Sequence, residues 1–175
     1  MASDIANVKL GVCSVTFNSV DLGYTKGGVD VEVTTEQYKV TVDQFGTTAI
    51  GDHIIGRSVV ITTPLAETTI DNLVAIMPGA SKVIDGLDSA VIKAVVATAI
   101  GTDLLSLAQK LTLHPKAAGA SVAEDFVVPK ASTAGAMNFA YRTDEERVFN
   151  CVWNAYPDTA NADTLFIYGD ESASA

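Results

Sequence analysis

The sequence predicts a mainly β protein, one domain carrying a single α-helix, on three observations. Runs of apolar–polar alternation, the period of a half-buried strand, recur along the 175 residues. The apolar members of those runs are mostly β-branched or aromatic, the residues that suit a pleated surface. One segment alone, near residue 70, has both helical spacing and caps.

"LGVCSVTFN" (10–18) reads as the first strand. The turn signal Gly27-Gly28 precedes the cleanest pattern in the chain. Val29, Val31 and Val33 point one way and Asp30, Glu32 and Thr34 the other. After a short gap Tyr38, Val40 and Val42 oppose Lys39, Thr41 and Asp43. This predicts a hairpin over 29–43, apolar on one face and largely acidic on the other. A polar stretch marked by Gly46, Gly51 and Gly56 follows, and Gln44 to Gly56 is expected to be a long loop hung from the hairpin's end. Loops of that length are usually kept for function. "RSVVITTPL" is the next strand, with Pro64 at its end or on an edge. The helix is expected over about 68–77. Thr68 caps it, Asp71 completes a capping box, and Ile70, Leu73, Val74 and Met77 form its stripe before Pro78-Gly79 stops it. That stripe is core rather than a cofactor box.

The second half returns to strands. Residues 90–99 suit strand or helix by periodicity, and their β-branched content favours strand. Leu105, Leu107, Leu111 and Leu113 share one parity, with Lys110 and Thr112 on the other. "DFVVPK" predicts a short strand ended by Pro129, and "ASTAGAMNFAY" a link or edge. Phe149, Cys151 and Trp153 alternate in "EERVFNCVWNAY", and "TLFIYGD" closes the sheet. Nothing in the tail "ESASA" gives it a reason to be ordered, so it is expected to be flexible beyond a core of about 10–170.

Composition excludes several functions. Apolar residues make up 48% of the chain and charged ones 18%, so it is globular rather than disordered. With 21 acids against 11 bases the formal charge is -10, which argues against a sequence-reading grip on nucleic acid, because such grips neutralise phosphates with Lys and Arg. "AVIKAVVATAI" is interrupted by Lys93 and Thr98 and is far short of the ~20 apolar residues that span a bilayer, so no membrane partner is expected. "MASDIANVKLG" does not read as a secretory signal. Cys13 and Cys151 are therefore expected to be reduced, buried thiols. His53 and His114 have no ligand partner at metal spacing, no catalytic motif is present, and the run Asp144, Glu145, Glu146 reads as a solvated turn. No catalytic residue, metal ligand or cofactor is expected, and the chain is not expected to be an enzyme.

A resemblance goes further than any motif. "LGYTKGGVDVEVTTEQYKVTVDQFGTTAIGDHIIGRSVVITTPLAETTIDNLVAIMPG" resembles the N-terminal half of the tail tube (major tail) proteins of tailed bacteriophages, with "PLAETTIDNL" leading into the helix. "LTLHP", "DFVVPKA" and "ERVFNCVWNAYPDTANADTLFIYGD", with its "YPD" turn and Gly-Asp ending, resemble the family's C-terminal half. The similarity runs from about Gly11 to Asp170 and is a pattern of hydrophobics and turns.

The resemblance implies a small β-sandwich or split barrel with a helix on its flank. Six copies would form a ring, and rings would stack into a hollow tube, that of a long non-contractile tail, conducting viral DNA from capsid to host without binding it specifically. The implied partners are further copies of the chain, a tail tip or initiator complex and a length-setting protein; the implied location is the virion, after synthesis in the host cytoplasm. One face of the hairpin would pack on the subunit's own core and the other would line the lumen, with Asp30, Glu32, Lys39 and Asp43 as lumen-facing candidates. The loop would reach the next ring through Gln44, Phe45, Thr47, Thr48, Ile50, Asp52, His53 and Ile54. Two alternatives remain at this stage: a related hexameric tube protein of a secretion system, and a stand-alone ligand-binding or enzymatic β-barrel, which needs a pocket with converging polar groups.

Overall fold

A computed structural model describes residues 8–9, 11–90, 92–117, 119–135, 137 and 141–173. Among them the chain forms β1 (Cys13–Phe17), β2 (Val20–Asp21), β3 (Asp30–Thr41), β4 (Ala49–Leu65), α1 (Ile70–Ile76), β5 (Ala80–Ile84), β6 (Ile92–Val96), β7 (Gln109–Pro115), β8 (Phe126–Thr133), β9 (Phe149–Ala155) and β10 (Ile167–Tyr168). One antiparallel sheet runs in the order β2-β1-β7-β8-β9-β4-β3, with β10 paired to β8; β5 and β6 form a separate two-stranded ribbon.

The sheet curls on itself. Phe17 of β1 and Trp153 of β9 lie on strands separated by β7 and β8, yet their rings are 4.5 Å apart. The stretch after β2 ties the two ends together. Leu22 N–H donates to the Val15 carbonyl at 2.9 Å, and Ala66 N–H donates to the Tyr24 carbonyl at 2.8 Å. Lys26 N–H donates to the Pro64 carbonyl at 3.0 Å. The result is a small β-sandwich with a helix on its flank.

Alternation explains the core. Val59, Ile61, Thr63 and Leu65 of β4 point inward, as do Phe149, Cys151 and Trp153 of β9, Leu111 and Leu113 of β7, and Val15 of β1; all are buried. Trp153 is the largest of the fully buried side chains, with its indole N–H donating to the Thr63 hydroxyl at 2.8 Å. The strands expected around 10–18, 90–99 and 149–155 are all present.

Several expectations are corrected. The hairpin expected within 29–43 is instead a single strand, β3, paired along its whole length to β4, and the expected loop from Gln44 to Gly56 is mostly strand. Only 42–48 turns, through a 3-10 segment at Asp43–Phe45. Leu105 and Leu107 fall before β7 in a turn, where the Asp103 carboxylate accepts from Leu105 N–H at 3.0 Å. β8 runs past Pro129 into Thr133, because the β7 register shifts between Gln109 and Leu111 and an irregular ladder tolerates the missing N–H. Ala131–Thr133 thereby joins the sheet, while 136 and 138–140 of the expected link lie outside the described residues. In "TLFIYGD" only Ile167–Tyr168 pairs as strand. Of the expected flexible tail, Glu171 forms an ion pair with Lys110 at 2.8 Å and Ser172 bonds to Asp170.

α1 is capped one residue later than expected, by Thr69, whose hydroxyl accepts from Asn72 N–H at 3.1 Å. Its buried positions are Asn72 and Ile76, flanked by half-buried Leu73, rather than the stripe that starts at Ile70. The polar Asn72 is buried because its amide donates to the carbonyls of Leu22 at 2.9 Å and Glu67 at 2.8 Å, joining the helix to both chain crossings beneath it. At the helix's other end Gly135 approaches closely with φ +74, and a Cβ there would lie 2.6 Å from Met77 Sδ and 3.0 Å from the Ile76 carbonyl oxygen. Gly135→Ala is expected to cost about 2–3 kcal/mol, from left-handed strain plus overpacking. A urea midpoint equal to that of the parent chain contradicts this.

Candidate assembly surfaces

β4 pairs with β9 only from Val60 to Leu65, but with β3 from Thr62 out to Ala49. Beyond Val59 the two strands therefore leave the sheet as a ribbon. At ~3.3 Å per residue, Val59 back to Ala49 makes an arm about 35 Å long. Its apolar residues are uncovered: Tyr38, Phe45, Ile50, Ile54 and Ile55 are exposed, Phe45 and Ile55 at 65% each. A two-stranded hairpin alone in water is marginally stable at best. An arm this long and apolar is the kind of surface that associates.

Because β3 does not turn at 35–37, its alternation continues unbroken and parity sorts the expected site residues anew. Asp30 and Glu32 share a face with Thr34 and Glu36, and that face also carries Tyr38 and Val40. Lys39 falls on the opposite face, with Val31 and Val33, and Asp43 sits in the tip turn. The four lumen-facing candidates therefore do not share a surface: Asp30 and Glu32 stay together, Lys39 and Asp43 leave, and Glu36 joins. Nor is Val31 or Val33 packed away on the subunit's own core; both are exposed at the arm's root.

Of the loop candidates, Gln44, Phe45, Thr47 and Thr48 are at the tip. Ile50, Asp52, His53 and Ile54 belong to β4, with Asp52 opposite Lys39, His53 opposite Tyr38 and Ile54 opposite Gln37. The ladder slips at Glu36/Gln37 and Val40/Thr41, so Gly51 and Gly56, read as loop markers, sit beside bulges in a strand.

The sheet's outer face continues from Asp30, Glu32, Thr34 and Glu36 across Ser58, Val60 and Thr62 to Asn150, Val152 and Asn154. None of these positions carries a cation. It is a face of short polar groups interrupted by Val60 and Val152, with acids along one margin.

A second uncovered region lies beyond the far end of β4. α1 begins five residues after Leu65, and the β5–β6 ribbon is held to it by Lys82 and Asp71, 2.7 Å apart. Ile84, Leu87, Val95 and Ile100 on and around this ribbon are exposed, Leu87 completely. Beside them Phe17, Val74, Met77, Pro78 and Leu107 line a cavity of about 220 Å³. Neither the ribbon nor the cavity is legible as a surface in the sequence, since their apolar residues look like ordinary core.

Several other polar groups tie strands and turns together. His114 Nδ1 lies 2.6 Å from Asp125 Oδ1, a partner that sequence spacing did not indicate; the contact ties β7 to the turn before β8. Arg142 pairs with Glu145 at 2.8 Å and Lys26 with Glu146, as a solvated turn does. The Asp158 carboxyl is held below the usual carboxylate range, first by the Asn161 amide at 2.6 Å and then by Lys130. Its contribution to stability is therefore present above about pH 4, the unfolded value, and is lost as pH falls through the lowered one. Cys13 and Cys151 are both free, Cys151 buried and Cys13 half-buried. Burial raises both thiols, that of Cys151 to about 11, which keeps them protonated and unreactive at neutral pH. A further cavity of about 320 Å³ is bordered by Cys13, Val12, Gly28 and Tyr168, and by Lys9 and Glu124, which pair with each other at 3.1 Å. Among the described residues no group of three or more His, Cys, Asp or Glu could hold a metal ion, and no helix is long and apolar enough to cross a membrane.

The chain matches no protein-family model and no curated protein.

Proposed function

We propose that this chain is a structural subunit whose copies form rings, six to a ring, that stack into a hollow tube, as the tail tube proteins it resembles do. In that role it is a virion component, it performs no catalysis, and it meets the tail tip, a length-setting protein and the DNA passing through its lumen. The observation that carries the reading is the β3–β4 arm, which leaves the sheet with its apolar side chains uncovered. A monomer gains nothing from such a ribbon, whereas an assembly buries it. The free outer edge of β3 points the same way, since joining sheets around a ring removes edges that otherwise aggregate. A secretion-system tube shares this physics and differs in its genomic neighbours. Negative-stain microscopy of the concentrated protein, alone and with preformed tube ends, tests the reading. Rings or tubes are expected; a persistent monomer that binds a small molecule tightly counts against it.

The outer face of β3, β4 and β9, whose positions from Asp30 to Asn154 carry no cation, is the one suited to a lumen. Short polar groups and net negative charge let a polyphosphate slide, because they offer no cation to hold it. Asp30→Lys with Glu32→Lys changes each subunit by four charges, since two residues each go from -1 to +1. Both are exposed, so fold and assembly are expected to survive within ~0.5 kcal/mol. DNA ejection from particles carrying the variant is expected to slow several-fold at low salt and recover as salt screens the new charges. Ejection that matches the parent at every ionic strength removes this face from the lumen.

A further inference from the structure

The arm and the cavity, whose apolar lining is broken by Ser132 and Thr133, lie toward opposite ends of β4. Ala49 begins the strand at the arm's tip, and α1, which walls the cavity, follows its other end. The cavity is level with Ile61: its lining includes Thr133, which pairs with Trp153, which pairs with Ile61. Its volume, about 220 Å³, is below the ~300 Å³ where small-molecule sites begin but above the ~150 Å³ apolar cavity that accepts a benzene ring. At the tip of the arm stands one exposed phenyl ring, Phe45. Resting on the tube reading, we infer that the arm of one copy seats Phe45 in the cavity formed by Phe17, Val74, Met77, Pro78 and Leu107 of the next copy.

Three features support a second copy as the occupant. The contact is heterologous, tip to opposite end, so it passes from copy to copy and, where the rotation does not close it into a ring, generates a stack. The area suffices. From Thr34 to Thr41 the ribbon is ~25 Å long, and two strands make it ~10 Å wide, so its two faces and edges offer on the order of 800 Å² per partner, what a stable interface needs. The cavity's rim is continuous with the exposed ribbon of Ile84, Val95 and Val96, which can cover the flanks of an incoming arm. The geometry also sets a length. From Phe45 to Ile61 is sixteen residues, so the axial repeat of the stack is at most about 50 Å, less for the turn and any tilt.

The test joins tip to cavity. Phe45→Cys with Leu107→Cys, in a Cys13→Ser background that leaves the buried Cys151 in place, is assembled and treated with a short bismaleimide. A ladder of dimers and higher species is expected on denaturing gels, and neither single-cysteine chain should give one. Phe45→Ala, folded by circular dichroism, is expected to raise the concentration needed for assembly about tenfold or more. Assembled double-cysteine tubes that yield no ladder, or an axial repeat well above ~50 Å, overturn the cavity as the arm's seat and leave the tube reading standing. A parent chain that stays monomeric with preformed tube ends overturns both. Should the double-cysteine chain fail to fold, Phe45→Ala with unchanged assembly overturns the seat by itself.

Discussion

Replacing Gln37–Ile55 with the two-residue turn Asn-Gly is expected to yield a folded subunit that forms no tubes. The cut falls between Glu36 and Gly56, which face each other across the ladder at the first bulge, so a tight turn can close the shortened hairpin there. The body loses no buried side chain, because every removed position is exposed or only partly covered. The change in unfolding free energy is expected to stay within about 1 kcal/mol, as for changes away from the core. Tm by circular dichroism should shift by a few degrees, while sedimentation and microscopy show subunits alone at concentrations where the parent assembles. Tubes formed by the shortened chain would remove the arm from the assembly contact. Unfolding would mean that the arm is part of the core after all.

Trp153→Ala is expected to produce the opposite separation, loss of the fold itself. The ring is 1% exposed, packs on Phe17 at 4.5 Å and leaves Thr63 without its donor when removed. Truncating a buried Trp costs about 3–5 kcal/mol. A domain of this size holds only ~5–15 kcal/mol in total. Trp153→Phe keeps an aromatic partner for Phe17 but still removes the indole donor from the Thr63 hydroxyl, which retains the Cys151 thiol as a partner, and is expected to cost about 1–3 kcal/mol. Urea unfolding followed by far-ultraviolet circular dichroism measures both. Near-parental stability of Trp153→Ala would show that the two ends of the curled sheet do not depend on this ring. The alanine variant loses assembly because it loses the subunit; arm excision loses assembly with the subunit intact.

Phe149, Cys151 and Trp153 were legible because a period of two over a run rich in apolar and aromatic residues leaves one inward face, and the same holds for Leu111 and Leu113. Asn72 was not, since a polar residue inside an apolar stripe reads as solvent-facing until its two carbonyl partners, fifty and five residues away, are in place. Phe45, Thr47 and Thr48 lie in a turn as their sequence suggests, but Gly51 and Gly56 lie in β4 and not in a loop. Glycine marks a turn and a bulge equally well, and only the partner strand distinguishes them. Lys39 was misplaced for a related reason. A turn at 35–37 resets which face a residue takes, and an unbroken strand does not.

Local periodicity by itself determined the class of this protein, the positions of most strands, a helix within about 68–77, and the identity of the inward residues on β7 and β9. Those follow from neighbours within a few residues, where alternation and capping act. Only the tertiary structure decided that β3 and β4 run past the sheet as an arm, that Asp30 and Glu32 part from Lys39, and that α1 and the β5–β6 ribbon leave a ring-sized cavity beside Phe17. Each depends on which strand pairs with which and for how long. An apolar residue looks the same in sequence whether its own chain covers it or leaves it for another copy.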